Sequence, residues 1–567
     1  MLFFQPAIVQ QAPYAEVAEA LPAVACSGER IVAVDVRRYP PSRTTAGERA
    51  VAVTSEAVGL EHSTTNLEVV QAYMLLRVGD VCREEDRLES ERLLRAQRFV
   101  ASAAVTAIPA GEGNVIIRVV VVDEWPYVVG GALRGGQIAA VRGGNQNLRG
   151  RALAVVGSFE RGLGYRTGFG LRVEKHGLLY QPAHFAAFAE RRPLGGTVQF
   201  DLAKPFLTDG QRHAFQASLA NETRFHDLVR PEGDDAAAET ERKVYDVAWV
   251  ARVGARRRDG LLGLAGVTLM REEMRTGIGP VVISDSGLVP TLDSALVGRY
   301  PDFSARRAGL ILGVRALRFV TVSRFASLRA AQDVGRGVQV SMIVAPSLES
   351  LDDTRDMLVS GDIYGGTGTA SSFLSMRVSG EVRANALAGP FRGVATSARF
   401  DWHRLASDRR TRITSVSGSV LGSAIVPSQL TLRDRDFGII GLPRGHDAGG
   451  RRVVLRHEER LLLDIFRRRA DLALAFFADA GRIWRGDVPY GATSPIRGSL
   501  GFGILGSHPS GKRTYRVDFA VPVNKGPGAT GFAVRFSSGD FTGTEWMEAR
   551  DVTRARGGTG PATLTRW

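Results

Sequence analysis

From Tyr127 onward the chain alternates apolar and polar residues with a period of two, segment after segment. Successive side chains of a strand point to opposite faces, so each segment carries one apolar and one polar face. In 452–463, Val453, Leu455, Leu461 and Leu463 share a face with His457 and Glu459, while Arg452, Arg456, Glu458 and Arg460 share the other. In 471–479, Leu472, Leu474 and Phe476 oppose Asp471, Ala473 and Asp479. The same alternation runs through 496–504, 514–521 and 532–536. A helical core is excluded over this stretch, and a large antiparallel β architecture is required.

Period two fits both a soluble sandwich, apolar face inward, and a transmembrane barrel, apolar face toward lipid. Three features favour the barrel. The strands are long enough for a tilted membrane crossing. The polar faces carry arginines and glycines suited to a wet lumen. Short turns such as "SGK" alternate with long polar stretches such as 222–243 and 273–304. Candidate strands number between sixteen and nineteen, and we expect a 16-stranded antiparallel barrel over 126–541, because short segments near 183–223 need not all span. The sequence shows no run of apolar residues long enough for a transmembrane helix. Sixty-five glycines fit a tightly bent sheet.

The net charge of +14 and a pI near 10.2 admit nucleic acid, an anionic membrane surface or an acidic partner. The basic residues are dispersed, as a base composition favouring arginine would leave them. Zinc-finger spacing and RNA-binding aromatic motifs are both missing, so no nucleic-acid partner is expected. Cys26 and Cys82 are the two cysteines. Without matching histidines they hold no metal, and composition leaves open whether they are bonded or free. The leader, 1–30, begins "MLFFQPAIVQQ" without a basic n-region. "LPAVACSG" has the small residues of a cleavage site but lacks a proper apolar run before it, so a truncated signal peptide and none at all both remain open.

Before the barrel stretch, "IVAVDVRR" (31–38) reads as a strand. "TTNLEVVQAYMLL" places Leu67, Val70, Met74 and Leu75 at helical spacing. "CREEDRLESERLLRAQRF" reads as a second helix with Glu84, Glu85 and Asp86 in its first turn, where the helix dipole favours acids. "AAVTAI" and "NVIIRVVVV" follow as strands. This β-α-α-β-β order, with Gly79-Asp80, the run Glu89 to Arg95, and Phe99, resembles a POTRA domain over 31–125.

A POTRA module, a β-rich body, a late Arg-Gly loop and five closing strands together resemble the BamA/TamA/Sam-type outer-membrane barrel superfamily, whose single-POTRA members are called bacterial surface antigens. The loop motif is matched by Leu442-Pro443-Arg444-Gly445-His446, with proline before the arginine and histidine in the usual aromatic position. The resemblance implies that the loop between Gly422 and Arg451 folds into the lumen, and that Arg444 meets acids of the next two strands, Glu458 and Asp479. Strand parity independently turns both acids inward, where charge-assisted hydrogen bonds would pin the loop. Export to an oxidising periplasm would join Cys26 to Cys82, tying the leader to the start of the second helix. The closing strand would end at Phe541, with 542–567 a polar, turn-like tail that barrel closure does not need.

The function implied is insertion or translocation of proteins at the outer membrane. The POTRA module would stand in the periplasm and receive unfolded client polypeptides by β-augmentation, and the belt would contact outer-membrane lipids. A channel or surface structural barrel of the same fold is the runner-up, and a soluble basic β-protein binding polyanions the third reading. P-loop, nucleophile-elbow and zincin motifs are not found, and Glu458 and Glu459 point to opposite faces, so neither an enzyme nor a cofactor is expected. "GGNQNLRG" (143–150) lacks the parallel-sheet setting of a nucleotide loop.

Overall fold

A computed structural model describes residues 23–41, 64–134, 137–162, 166–231, 234–254, 260–284, 287–291, 293, 295–296, 298–348, 356–385, 392–433, 438–442, 447–465, 470–509, 511–524, 531–540 and 549–556. The chain opens with an α+β module: β1 (Ser27–Tyr39), α1 (Leu67–Gln71), β2 (Val81–Arg83), α2 (Glu84–Arg95), β3 (Val100–Pro109) and β4 (Asn114–Asp123). Its sheet runs β2-β1-β4-β3, with β1 parallel to β4 and the other neighbours antiparallel. Ile31, Val105, Ile117, Val119 and Val121 are fully buried against Leu93 and Leu94 of α2. Each such side chain contributes roughly 1.5–3 kcal/mol.

The first helix is shorter than its spacing implied, and its buried face differs. Leu67 and Leu75 are exposed, whereas Val69, Val70 and Tyr73 are buried. The residues after Gln71 leave the helix as turns while Tyr73, Met74 and Leu76 still pack into the core. Tertiary packing thus overrides the helical period. Cys26 and Cys82 are bonded, their Cα atoms 5.1 Å apart.

Among the described residues the body is an antiparallel barrel of twenty strands, not the sixteen expected. They are β5 (Tyr127–Arg134), β6 (Gln137–Asn145), β7 (Leu153–Glu160), β8 (Gly168–His176), β9 (His184–Arg191), β10 (Gly195–Lys204), β11 (His213–Leu228), β12 (Ala236–Val253) and β13 (Leu262–Thr276). A small hairpin, β14 (Val281–Ser284) and β15 (Gly287–Pro290), extends the wall at β12. The wall continues with β16 (Phe303–Ser323), β17 (Ala331–Pro346), β18 (Asp356–Gly368), β19 (Ser372–Asn385), β20 (Arg392–Leu405) and β21 (Arg410–Gly422). Two short strands, β22 (Leu430–Thr431) and β23 (Ala448–Gly449), pair within the next connection. β24 (Arg451–Leu463), β25 (Asp471–Trp484), β26 (Arg497–Ser507), β27 (Arg513–Val523) and β28 (Ala533–Asp540) complete the ring, β28 lying beside β5. The count is larger because segments discounted as too short, β9 and β10 among them, are full members of the wall. Eight residues at ~3.3 Å each still rise about 26 Å.

Polarity is inverted relative to a soluble core. Phe169, Leu171, Val247, Leu310, Leu312 and Leu500 are among the many large apolar residues exposed on the outside. Arg307, Arg315, Glu272, Asp362 and Asp518 are buried inside. So much outward apolar surface exceeds what a soluble monomer shows. A last helix, α3 (Arg550–Ala555), follows the barrel.

Candidate functional site: the lumen and its two mouths

The rim at which β5 begins is the near rim. The module is docked there through several turns. Thr65 donates its N–H and Oγ1 to the Asp123 carboxylate (2.8 and 2.6 Å) and accepts from Asn147 Nδ2 in the β6–β7 turn (2.8 Å). That turn approaches so closely that a Cβ on Gly150 (φ +68°) would stand 2.1 Å from the Thr64 carbonyl oxygen. Around the rim, Arg92 donates to the Leu207 carbonyl (2.6 Å) and its guanidinium lies 4.0 Å over the Phe319 ring. Arg95 forks onto Asp333 (3.0 and 2.9 Å), and the Lys512 N–H donates to Glu124 (2.7 Å). The module therefore bridges well-separated points of the rim, and a cavity of about 1210 Å³ lies between it and the barrel. Burial pushes the Asp123 carboxyl up to about 7, against the Thr65 hydrogen bonds that lower it. Burial brings Lys512 down to about 8.

Inside, one wall holds a buried charge network. Glu272 on β13 contacts Arg242 on β12 (2.7 Å), Arg307 on β16 (3.1 Å) and Arg383 on β19 (2.7 Å). Arg307 also forks onto Asp356 (2.9 and 2.6 Å), and Arg377 onto Asp362 (3.0 and 2.9 Å). Such groups are tolerated away from water only when paired and hydrogen-bonded. Sequence reading missed Glu272, whose parity on β13 was readable but whose partners lie on three other strands.

Glu458 and Asp479 face the lumen, as strand parity requires. Arg456 forks onto both oxygens of Asp479 (2.8 and 2.9 Å), and Asp479 also accepts the Ile440 N–H (2.9 Å). Glu458 pairs with Arg460 and with Arg516 of β27 (2.5 Å). The segment 438–442 lies in the lumen. Ile439 and Leu442 pack on Val454 and Ile483, Ile440 packs near Phe477 and Ala520, and Arg456 donates to the Gly438 carbonyl (3.0 Å). At Gly441 (φ +82°) a Cβ would sit 2.8 Å from that of Ala520. Arg444 and Gly445, and with them the expected pairing of Arg444, lie outside the described residues.

The far mouth is roofed by loops. Gln429 exchanges hydrogen bonds with Val229 (2.8 and 3.0 Å) and donates to Pro489 (2.7 Å). Arg230 meets Asp293 (3.0 Å), and Arg299 meets Asp487 (2.8 Å). Among the described residues no three His, Cys, Asp or Glu side chains gather as metal ligands would. The arrangement can hold a polypeptide loop and exclude solvent along one wall.

No family model matches the chain, and no curated protein matches it. Among solved structures it is similar in fold to BamA from Haemophilus ducreyi lacking POTRA domains 1–3, at 12% identity over 89% of this chain and 84% of that one, TM-score 0.34. It is also similar to CdiB from Escherichia coli, at 10% identity over 90% and 76%, TM-score 0.47. A third is the alcaligin outer-membrane receptor FauA from Bordetella pertussis, at 11% identity over 76% and 69%, TM-score 0.31.

Proposed function

We propose that the chain is an outer-membrane barrel protein acting in the insertion or translocation of polypeptides, with its N-terminal module serving as a single POTRA domain in the periplasm. The observation that carries this reading is the module docked across the near rim of a barrel with an apolar exterior. A chain leaving the module would arrive at the barrel mouth. Edge strand β3 is blunted: Glu91 accepts the Val105 N–H (3.0 Å), Arg87 caps the Val105 carbonyl, and Val24 bridges Ala107. An extended client would then add at the β2 side of the sheet. The reading needs no catalytic centre and no cofactor. Depletion of the protein, followed by an inventory of outer-membrane proteins, tests it. Loss of a subset of barrels or surface proteins is expected, and an unchanged inventory would refute it.

A channel is the second reading, favoured by Arg172. It projects inward from β8 between Leu171 and Val173, yet its side chain is 54% exposed. Stepwise ion conductance with an unchanged protein inventory would select that reading.

A further inference from the structure

We propose that residues 549–556 are an intramolecular occupant of the lumen that occludes its far half and must leave before anything large can pass. A six-residue helix has no stability of its own, so α3 is held by what surrounds it. Ala549, Val552 and Ala555 are buried with Leu421, Leu430 and Val488. Asp551 forks onto Arg452 at the far end of β24 (2.5 and 3.1 Å), both side chains being buried. Arg452 in turn donates to the Thr431 carbonyl (2.6 Å), which ties the helix to the returning connection.

Arg556 then reaches across the barrel. Its carbonyl accepts from Arg242 on β12 (2.5 Å), and its guanidinium donates to Ser379 on β19 (2.9 Å). β13, β16, β17 and β18 stand between those two strands in the wall. One residue bonded to both therefore subtends an arc of the ring, and with the Asp551 clamp on β24 the segment spans the lumen between distant wall positions. The occupant is bonded through a buried ion pair, so removing one partner charge strongly disfavours the docked state. That makes the contact autoinhibitory and releasable.

The proposal rests on the membrane-barrel reading, and its test separates the two. Val552→Cys is placed in the full chain, whose two native cysteines are bonded to each other. The protein is reconstituted in liposomes and treated with a membrane-impermeant maleimide, and the same preparation is examined for ion conductance. Protection of the thiol is expected while Asp551 is intact. Adding Asp551→Arg should speed labelling by at least about a hundredfold, just under the lower end of the scale for losing one partner of a buried pair, and raise conductance several-fold. Combining Asp551→Arg with Arg452→Asp should restore protection. Rapid labelling with Asp551 and Arg452 intact, in protein that keeps heat-modifiable gel mobility, overturns the proposal. So do labelling and conductance that Asp551→Arg leaves unchanged in such protein. A parent chain soluble without detergent and lacking heat-modifiable mobility overturns the membrane-barrel reading instead.

Discussion

The two sides of the barrel differ in strand length and in what they face. Strands β5 to β10 have eight to ten residues, and β28 has eight. Strands β11 to β21 have thirteen to twenty-one, leaving out the β14–β15 hairpin. The long wall carries Glu272, Arg307, Arg377 and Arg383, all buried, and extends into the connections that roof the far mouth. The inward residues of β7 to β9 are mostly half-buried or exposed. Long strands present more rungs inside, and the tail helix and its neighbours cover them. The short wall is left facing water. Between these two walls, buried charge is concentrated on the covered one and solvated charge on the uncovered one.

The largest effect that can break this comparison is expected at Glu272. Glu272→Gln leaves Arg242, Arg307 and Arg383 short of a shared counter-charge in a buried setting. Destabilisation of about 3–5 kcal/mol is expected, the scale for breaking a buried pair. The measurement is the urea midpoint of the detergent-folded protein, read by heat-modifiable gel mobility. A shift worth under ~1 kcal/mol would mean that water reaches the long wall.

The outside of the same wall sharpens the contrast. Leu312 on β16 is 49% exposed and touches what a soluble protein would give to water. In a bilayer Leu312→Arg should cost about 2–4 kcal/mol near mid-membrane, whereas in a soluble barrel it should cost nothing measurable. Folding yield into liposomes against yield in detergent, for parent and variant, decides between these.

The rims differ as well. On the short-wall side the module is held by the neutral groups of Asn147 and Thr65 leading to Asp123, and on the long-wall side by the ion pair Arg95–Asp333. Because Asp123 has its carboxyl raised to about 7, its contribution to docking is full below pH ~4 and is lost as pH rises through about 7. Proteolytic release of the module should therefore increase between pH 5 and 8. Asp123→Asn should flatten that rise, and a rise that persists in this variant would place the titration elsewhere.

Period-two alternation made the β architecture and the inward faces of Glu458 and Asp479 legible, strand length and loop pattern pointed to the barrel, and helical spacing with short alternating runs set the order of the module's elements. Their partners were less so. Arg516 meets Glu458 across 58 positions of sequence, and Arg383 meets Glu272 across 111. Those contacts depend on ring closure and curvature, which no local pattern encodes. The tail was unreadable for a related reason: Asp551 and Val552 acquire a helix only because Arg452 and Leu421 receive them. Strand number failed where β9 and β10 were short, since length alone does not separate a membrane strand from a loop excursion.

The smallest effect is expected on the short wall, at Arg172. It pairs with Glu174, which also lies near His176 (3.7 Å) and Arg98 (4.0 Å). Removing the arginine leaves its acid beside the Arg98 guanidinium and exposes no new apolar surface. An ion pair whose arginine is solvent-exposed is worth at most about 1 kcal/mol, so Arg172→Gln should move the urea midpoint by less than that. It should nevertheless alter cation-to-anion selectivity if ions pass along β8, because one positive charge has left a solvated wall. A stability loss matching that of Glu272→Gln would show that the short wall is as closely covered as the long one, and the distinction between them would fall.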